Sequence, residues 1–175
     1  MKTLGFLIFF AAVFMLPLSA MSQSSNFGVN VYYGDAVNFG MNVHVAPTIT
    51  LRPELGLTNT SGSGSSLLVS SHLTYAVGLD IVVLLDSSFA AKDLQPYVGG
   101  GAKYWYDEQR FEGPVPAKAT LRRLSIEGFV GGVYWLGPHF GIFGEVGVSV
   151  GDDPNFDGSY YNFSTLTRIG LNLMF

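Results

Sequence analysis

Beyond residue 25 the chain alternates apolar and polar positions with a period of two, segment after segment, the pattern of a β-strand with two unlike faces. Asn26–Tyr33 sets Phe27, Val29, Val31 and Tyr33 against Asn26, Gly28, Asn30 and Tyr32. After a Gly34-Asp35-Ala36 turn, Val37–Val45 sets Val37, Phe39, Met41, Val43 and Val45 against Asn38, Gly40, Asn42 and His44. Two such runs joined by so short a turn read as a hairpin. Ile49–Asn59 resumes after Ala46-Pro47, with Ile49, Leu51, Pro53, Leu55 and Leu57 opposite Thr50, Arg52, Glu54, Gly56 and Thr58. Pro53 cannot donate to a ladder, so a bulge or a break in pairing is expected there. Further strands are predicted over Ser71–Leu85, Gln95–Tyr106, Leu121–Leu136, Phe140–Val150 and Ser164–Phe175, each with the same alternation.

Eight strands result. Their connections alternate between turns near Pro47, Asp86 and Pro138 and longer polar loops near Ser61, over Asp107–Thr120 and over Gly151–Phe163. Short turns at one end and long loops at the other mark a transmembrane barrel, as does a strand length of about 9–11 residues. The fold class is therefore all-β, an eight-stranded antiparallel up-and-down transmembrane β-barrel.

Alternation alone does not say which face points outward, since a soluble ligand-binding barrel has the same period. Charge decides it. Arg52, Lys103, Arg123 and Arg168, with Glu54, Asp80, Glu127 and Glu145, all fall on the non-aliphatic face, four cations against four anions. A closed interior needs that balance, because an unpaired buried charge is costly, whereas a face in water does not. Tyr32 and Tyr33, Tyr104 to Tyr106, Tyr134 with Trp135, and Tyr160 with Tyr161 gather near strand ends, as interfacial girdles do.

Composition agrees. Charged residues make up 13%, against roughly 25% in soluble domains, and the 22 glycines exceed the ordinary share of about 7%. The net charge of −4 contains no basic run, which excludes nucleic acid as a partner. Residues 1–22 have the form of a cleavable signal peptide: Lys2, an apolar Leu4–Leu18 broken by Pro17, then Ala20-Met21-Ser22 before Gln23. Residues 23–175 are then the barrel domain. With no cysteine there is neither a disulfide nor a lipid-anchoring thiol.

The last strand, Thr167-Arg168-Ile169-Gly170-Leu171-Asn172-Leu173-Met174-Phe175, resembles the C-terminal signal strand of outer-membrane barrels. With the leader and the Gln95–Gly101 stretch (Gln-Pro-Tyr-Val-Gly-Gly-Gly), the chain resembles the small porin-like barrels of the OmpA/OmpX type. That resemblance implies a bacterial outer-membrane location and contact with outer-membrane lipid. It also implies recognition by the barrel-assembly machinery, with Ile169, Leu171, Leu173 and Phe175 as the assembly signal.

Candidate chemistry is sparse. His44 and His72 lie on the interior face and His139 in a turn, with no metal-ligand spacing on one strand. Ser70, Ser71 and His72 have the residue types of a lipid-acyl hydrolase, but the phase of His72 turns it away from the lipid boundary. Asp153, Asn155 and Asp157 open like a calcium loop, but Ser164 replaces its bidentate glutamate and no helices flank it. No catalytic residue, metal or cofactor is expected. An eight-stranded lumen is just wide enough for side chains to fill it, and Trp105, Phe129, Phe143 and Trp135 share the charged face. The leading expectation is a structural outer-membrane protein with a filled lumen, its outer loops available to an extracellular partner. A lipid-modifying enzyme, a narrow channel and a soluble ligand-binding barrel remain as alternatives.

Overall fold

In the computed structural model, residues 27–34, 36–60, 69–85, 93–111, 117–152 and 161–175 are described. They form β1 (Phe27–Tyr33), β2 (Val37–Ala46), β3 (Ile49–Thr60), β4 (Val69–Leu84), β5 (Leu94–Phe111), β6 (Ala117–Trp135), β7 (Phe140–Asp152) and β8 (Tyr161–Met174). All neighbours are antiparallel and in sequence order, and β8 pairs with β1 to close the barrel. At that seam Val31 lies opposite Leu171, and the Phe175 N–H donates to the Phe27 carbonyl at 2.9 Å. Closure leaves no open edge at membrane depth, the condition for β-structure in lipid.

The two faces are those the alternation predicts. Outward Leu79, Ile126, Val146 and Leu171 are exposed, Val146 at 57%, while Asp80, Glu145 and Arg168 on the inner face are at most 2% exposed. A soluble protein has the reverse arrangement. The shell is inside-out.

Pro53 acts as expected. The β2–β3 register runs to Gly40↔Glu54, skips the Pro53 level and resumes at Val43↔Leu51, while Pro53 remains opposite Leu79 of β4. The register shift itself falls lower, between His44 and Ala46.

The loop expected over Asp107–Thr120 is largely strand. β5 and β6 stay paired from Asp107↔Leu121 to Phe111↔Ala117, and β4 accompanies them up to Val69. The charges of this segment suggest a loop, yet a strand accepts charges when one face is in water and the inward Asp107 finds partners. β5 and β6, at 18 and 19 residues, far exceed the roughly 9–11 needed to cross a bilayer. At the other loop, β7 continues to Asp152 and β8 begins at Tyr161. Residues 1–22, expected to be a signal peptide, the Ser61 loop and the calcium-like Asp153, Asn155 and Asp157 lie outside the described residues.

Glycine makes room for the large inner side chains. A Cβ at Gly101 would collide with the Asp80 carboxylate, and one at Gly170 with the Cβ of Tyr32. The high glycine content thus follows from a narrow tube filled with bulky groups.

Candidate functional site: a charge network across the lumen

β3 and β4 bring Arg52 and Asp80 into register, and β7 and β8 do the same for Glu145 and Arg168. Arg52 donates to Asp80 at 2.7 Å and, through two nitrogens, to Glu145 at 2.5 and 3.1 Å, so it bridges the lumen from β3 to β7. Arg168 reaches Asp80 at 3.3 Å and Glu145 at 3.2 Å and forms an ion pair with Glu127. Lys103 pairs with Glu54, which also accepts the Tyr32 hydroxyl. The Tyr97 hydroxyl donates to Glu145 at 2.9 Å.

Aromatic rings pack around the cations. The Arg52 guanidinium lies 5.1 Å from the Phe129 ring centre, Arg168 lies 5.2 Å from that of Tyr32, and Lys103 lies 5.3 Å from that of Trp105. Cation–π attraction strengthens when both groups are out of water, as these are. Around the network Tyr32, Val82, Tyr97, Phe129, Val133, Phe143 and Leu166 form an apolar cluster.

Seven of the eight charges expected in the lumen are therefore together. Arg123 is not. Its side chain is 42% exposed, pairs with Asp107 at 3.4 Å and stacks over Trp105 at 5.5 Å. It lies nearer the long-strand mouth, too far along β6 to reach the centre. Glu127 correspondingly pairs with Arg168, not with the neighbouring Lys103. The central balance becomes four carboxylates (Glu54, Asp80, Glu127, Glu145) against three cations (Arg52, Lys103, Arg168), with Asp107–Arg123 as a separate pair above.

Asp107 joins the inner face from within the segment expected to be a loop. Its phase points there, since Tyr97, Lys103, Trp105 and Asp107 are odd-numbered inward positions of one strand, and Thr74 Oγ1 donates to its carboxylate at 2.6 Å. Tyr32, expected among the interfacial aromatics, is buried in the lumen; Trp105, Phe129 and Phe143 are buried on the inner face where their phase puts them, and Trp135 is half-buried there. Among the described residues the outward aromatics include Tyr33, Tyr75, Tyr104, Tyr134, Tyr161 and Phe163.

Carboxylate oxygens of Glu54, Asp80 and Glu127 lie within 4.8 Å of one another. Each residue already has a cationic partner, which accounts for the cluster without a metal. Toward the short-turn mouth a cavity of about 160 Å³ is lined by Asn42, His44, Thr50, Gln95, Trp135 and Arg52, among others. Asn30 donates to Asn42 and Asn42 to Asn172, at 3.2 and 2.6 Å, and His44 Nδ1 lies 2.7 Å from Thr50 Oγ1. This cavity reaches Arg52, where the network begins. His139 Nδ1 lies 3.1 Å from the Met174 carbonyl. Ser70, Ser71 and His72 lie on β4, opposite or beside Arg110 and Gln109 of β5, at the long-strand end.

The C-terminal residues expected to form an assembly signal alternate along β8. Ile169, Leu171 and Leu173 face outward, and the Phe175 ring stacks on Phe27 with centres 6.1 Å apart.

No protein-family model and no curated protein matches the chain. Among solved structures it is similar to a major outer membrane protein from Thermus thermophilus (TM-score 0.59, 14% identity, 85% of this chain and 98% of that one). It is also similar to Neisserial surface protein A (0.55, 10%, 85% and 93%). A third is the N-terminal β-barrel domain of Pseudomonas aeruginosa OprF (0.51, 12%, 87% and 100%). At such identities the likeness is one of fold: this is the closed eight-stranded barrel of outer-membrane proteins.

Proposed function

We propose that the protein is a structural component of the bacterial outer membrane: a sealed barrel that holds its extended strands and long loops beyond the bilayer, where a surface partner can meet them. One observation carries this reading. The ionic groups at mid-barrel are inside and paired, while the outside at the same level is aliphatic. Lipid solvates such an exterior and water does not. The alternative of a soluble ligand-binding barrel would leave Leu79, Ile126, Val146 and Leu171 in water together, a patch that drives aggregation.

The same network supports a sealed lumen. Arg52 and Arg168 bridge opposite walls, and with the aromatic rings packed around them they occupy the axis. Ion passage would require at least the Arg52–Glu145 contact to open. Export through residues 1–22 and delivery to the assembly machinery through Ile169, Leu171, Leu173 and Phe175 complete the proposal. No catalytic role is assigned.

Conductance tests it. The purified full chain, reconstituted in planar bilayers, is expected to insert without steady current. A stable open channel in the wild type refutes the sealed scaffold in favour of a narrow pore, and failure to partition into bilayers refutes the membrane reading itself.

A further inference from the structure

A sealed scaffold has no use for the cavity at the short-turn mouth, and the two sides of that cavity differ. β8, β1, β2 and β3 contribute Asn172, Asn30, Asn42, His44 and Thr50, whereas β4, β6 and β7 contribute Val82, Leu84, Val133, Trp135 and Phe143. In the closed strand order these are facing half-walls, the first polar apart from Met174 and the second apolar. The volume of about 160 Å³ is close to the roughly 150 Å³ that admits one benzene molecule, so the space suits a single six-membered ring.

The row that joins the half-walls shows how they meet. Asn30 is opposite Asn172, Asn172 opposite Gly141, and Gly141 opposite Trp135. A Cβ at Gly141 would stand 3.0 Å from Cε3 of the indole and 2.6 Å from Cγ1 of Val133. With no side chain there, the indole lies over β7, the strand between it and Asn172. An aromatic plate and an amide therefore flank one opening. Trp135, His44 and Gln95, all half-buried, form its rim, and Arg52, Tyr97 and Phe143 are buried below.

The hydrogen-bonding groups define the ligand. The chain from Asn30 through Asn42 to Asn172 uses one N–H of each of the first two amides and leaves the Asn172 amide nitrogen with no partner among the described residues. His44 uses Nδ1 on Thr50, leaving Nε2, and Gln95 uses its nitrogen on backbone carbonyls, leaving its own carbonyl. Neutral amides and an imidazole offer donors and acceptors side by side, which matches hydroxyl groups, each of them both donor and acceptor. An apolar guest would leave these groups buried and unpaired. Arg52 is the one charged group among the described lining residues, and its hydrogen bonds all go to Asp80 and Glu145, so no free charge awaits an ion.

The geometry points to a binding site for a neutral monosaccharide: the C–H face of the sugar ring lies on Trp135, whose π-face is negative, and its hydroxyls meet Asn172, Asn42 and His44. Short turns face the periplasm in an outer-membrane barrel, so the sugar arrives from that side.

The test uses the full-length protein in a deuterated amine-oxide detergent, whose headgroup carries no sugar. Glucose, N-acetylglucosamine and open-chain sorbitol are titrated, and binding is read from saturation transfer to the ligand by NMR. Saturable binding of at least one ring sugar, at least tenfold tighter than sorbitol, is expected. Asn172→Leu and Trp135→Leu should each weaken it about tenfold, as loss of one favourable contact of about 1.4 kcal/mol does. His44→Leu, at the rim, should weaken it severalfold and provides a second variant if Asn172→Leu does not fold, which heat-modifiable gel mobility decides. Thr165→Val, on the outer face of β8, should leave it unchanged. No saturable transfer to either ring sugar, sorbitol bound as tightly, or wild-type affinity in folded Trp135→Leu and His44→Leu would make the cavity a hydrated vestibule and overturn the inference. A steady current in the conductance experiment refutes the sealed scaffold and leaves this site standing, since the two measurements are independent.

Discussion

Arg168 and Glu127 make different contributions to the lumen, although they form one ion pair. Arg168 touches Asp80, Glu145 and Glu127, whereas Glu127 has Arg168 as its ion-pair partner among the described residues. Arg168→Met leaves Asp80 and Glu145 with Arg52, but strands Glu127 and shifts the central balance from four against three to four against two. Removing one partner of a buried ion pair costs about 3–5 kcal/mol, and Arg168, at 2% exposure, has little access to water that would soften this. Glu127→Gln instead brings the balance to three against three and leaves Arg168 two carboxylates. It should cost about 1.5–3 kcal/mol, the value of a single hydrogen bond to a charged group. The double variant restores the wild-type excess of one carboxylate. Its cost should fall below the sum of the singles by about 0.5–3 kcal/mol, the usual coupling of residues in one network. The assay is urea unfolding of the barrel in lipid vesicles, followed by gel mobility without boiling and by Trp fluorescence. Equal costs for the two single variants, or strict additivity, would show that the network is wet and loosely paired and would refute the argument.

Two further outcomes follow from the packing of the shell. Gly170→Val places a side chain against the Tyr32 Cβ and the Val31 carbonyl at the β1–β8 seam. It should abolish the heat-modifiable form, whereas Gly144→Ala, whose nearest neighbour would be 3.9 Å away, should retain it on the same gel. Deleting Phe175 removes the N–H bonded to Phe27 and the ring stacked on it, and should leave the protein unassembled; wild-type amounts in the outer-membrane fraction would contradict its proposed role in assembly.

The strand count, the closure and the assignment of faces are legible because period-two alternation is a local property that eight successive segments repeat. Pro53 can be read for the same reason: a missing N–H is a local fact with a local consequence. The lumen charges can be placed on a face, but their pairing cannot be read. Which carboxylate meets which cation depends on shear and on reach across the tube, which brings Arg52 of β3 to Glu145 of β7 and Lys103 of β5 to Glu54 of β3. Phase gives the side of a strand but not the height along it, and so it puts Arg123 with charges that it stands too high to meet. Asp107 escapes notice because a charged segment suggests a loop, although its phase continues that of Lys103 and Trp105. Tyr32 shows the same limit, since residue type suggests an interface while phase already points it inward.

The central claim is that the barrel is inside-out and dry around its charges, and the two native tryptophans allow it to be tested in one experiment. Trp105 is buried on the inner face, packed on Lys103 and donating to Ser125 at 3.1 Å, and Leu79 is exposed on the outer face. Two single-Trp proteins are compared in vesicles, one retaining Trp105 with Trp135→Phe, the other carrying Leu79→Trp with both native tryptophans changed to Phe. Quenching is measured with brominated acyl chains and with aqueous iodide. Strong bromolipid quenching of the residue at 79, weak bromolipid quenching of Trp105 and little effect of iodide on either are expected. Iodide quenching of Trp105 would reveal a wet pore, and stronger bromolipid quenching of Trp105 than of the residue at 79 would reverse the two faces on which the whole account rests.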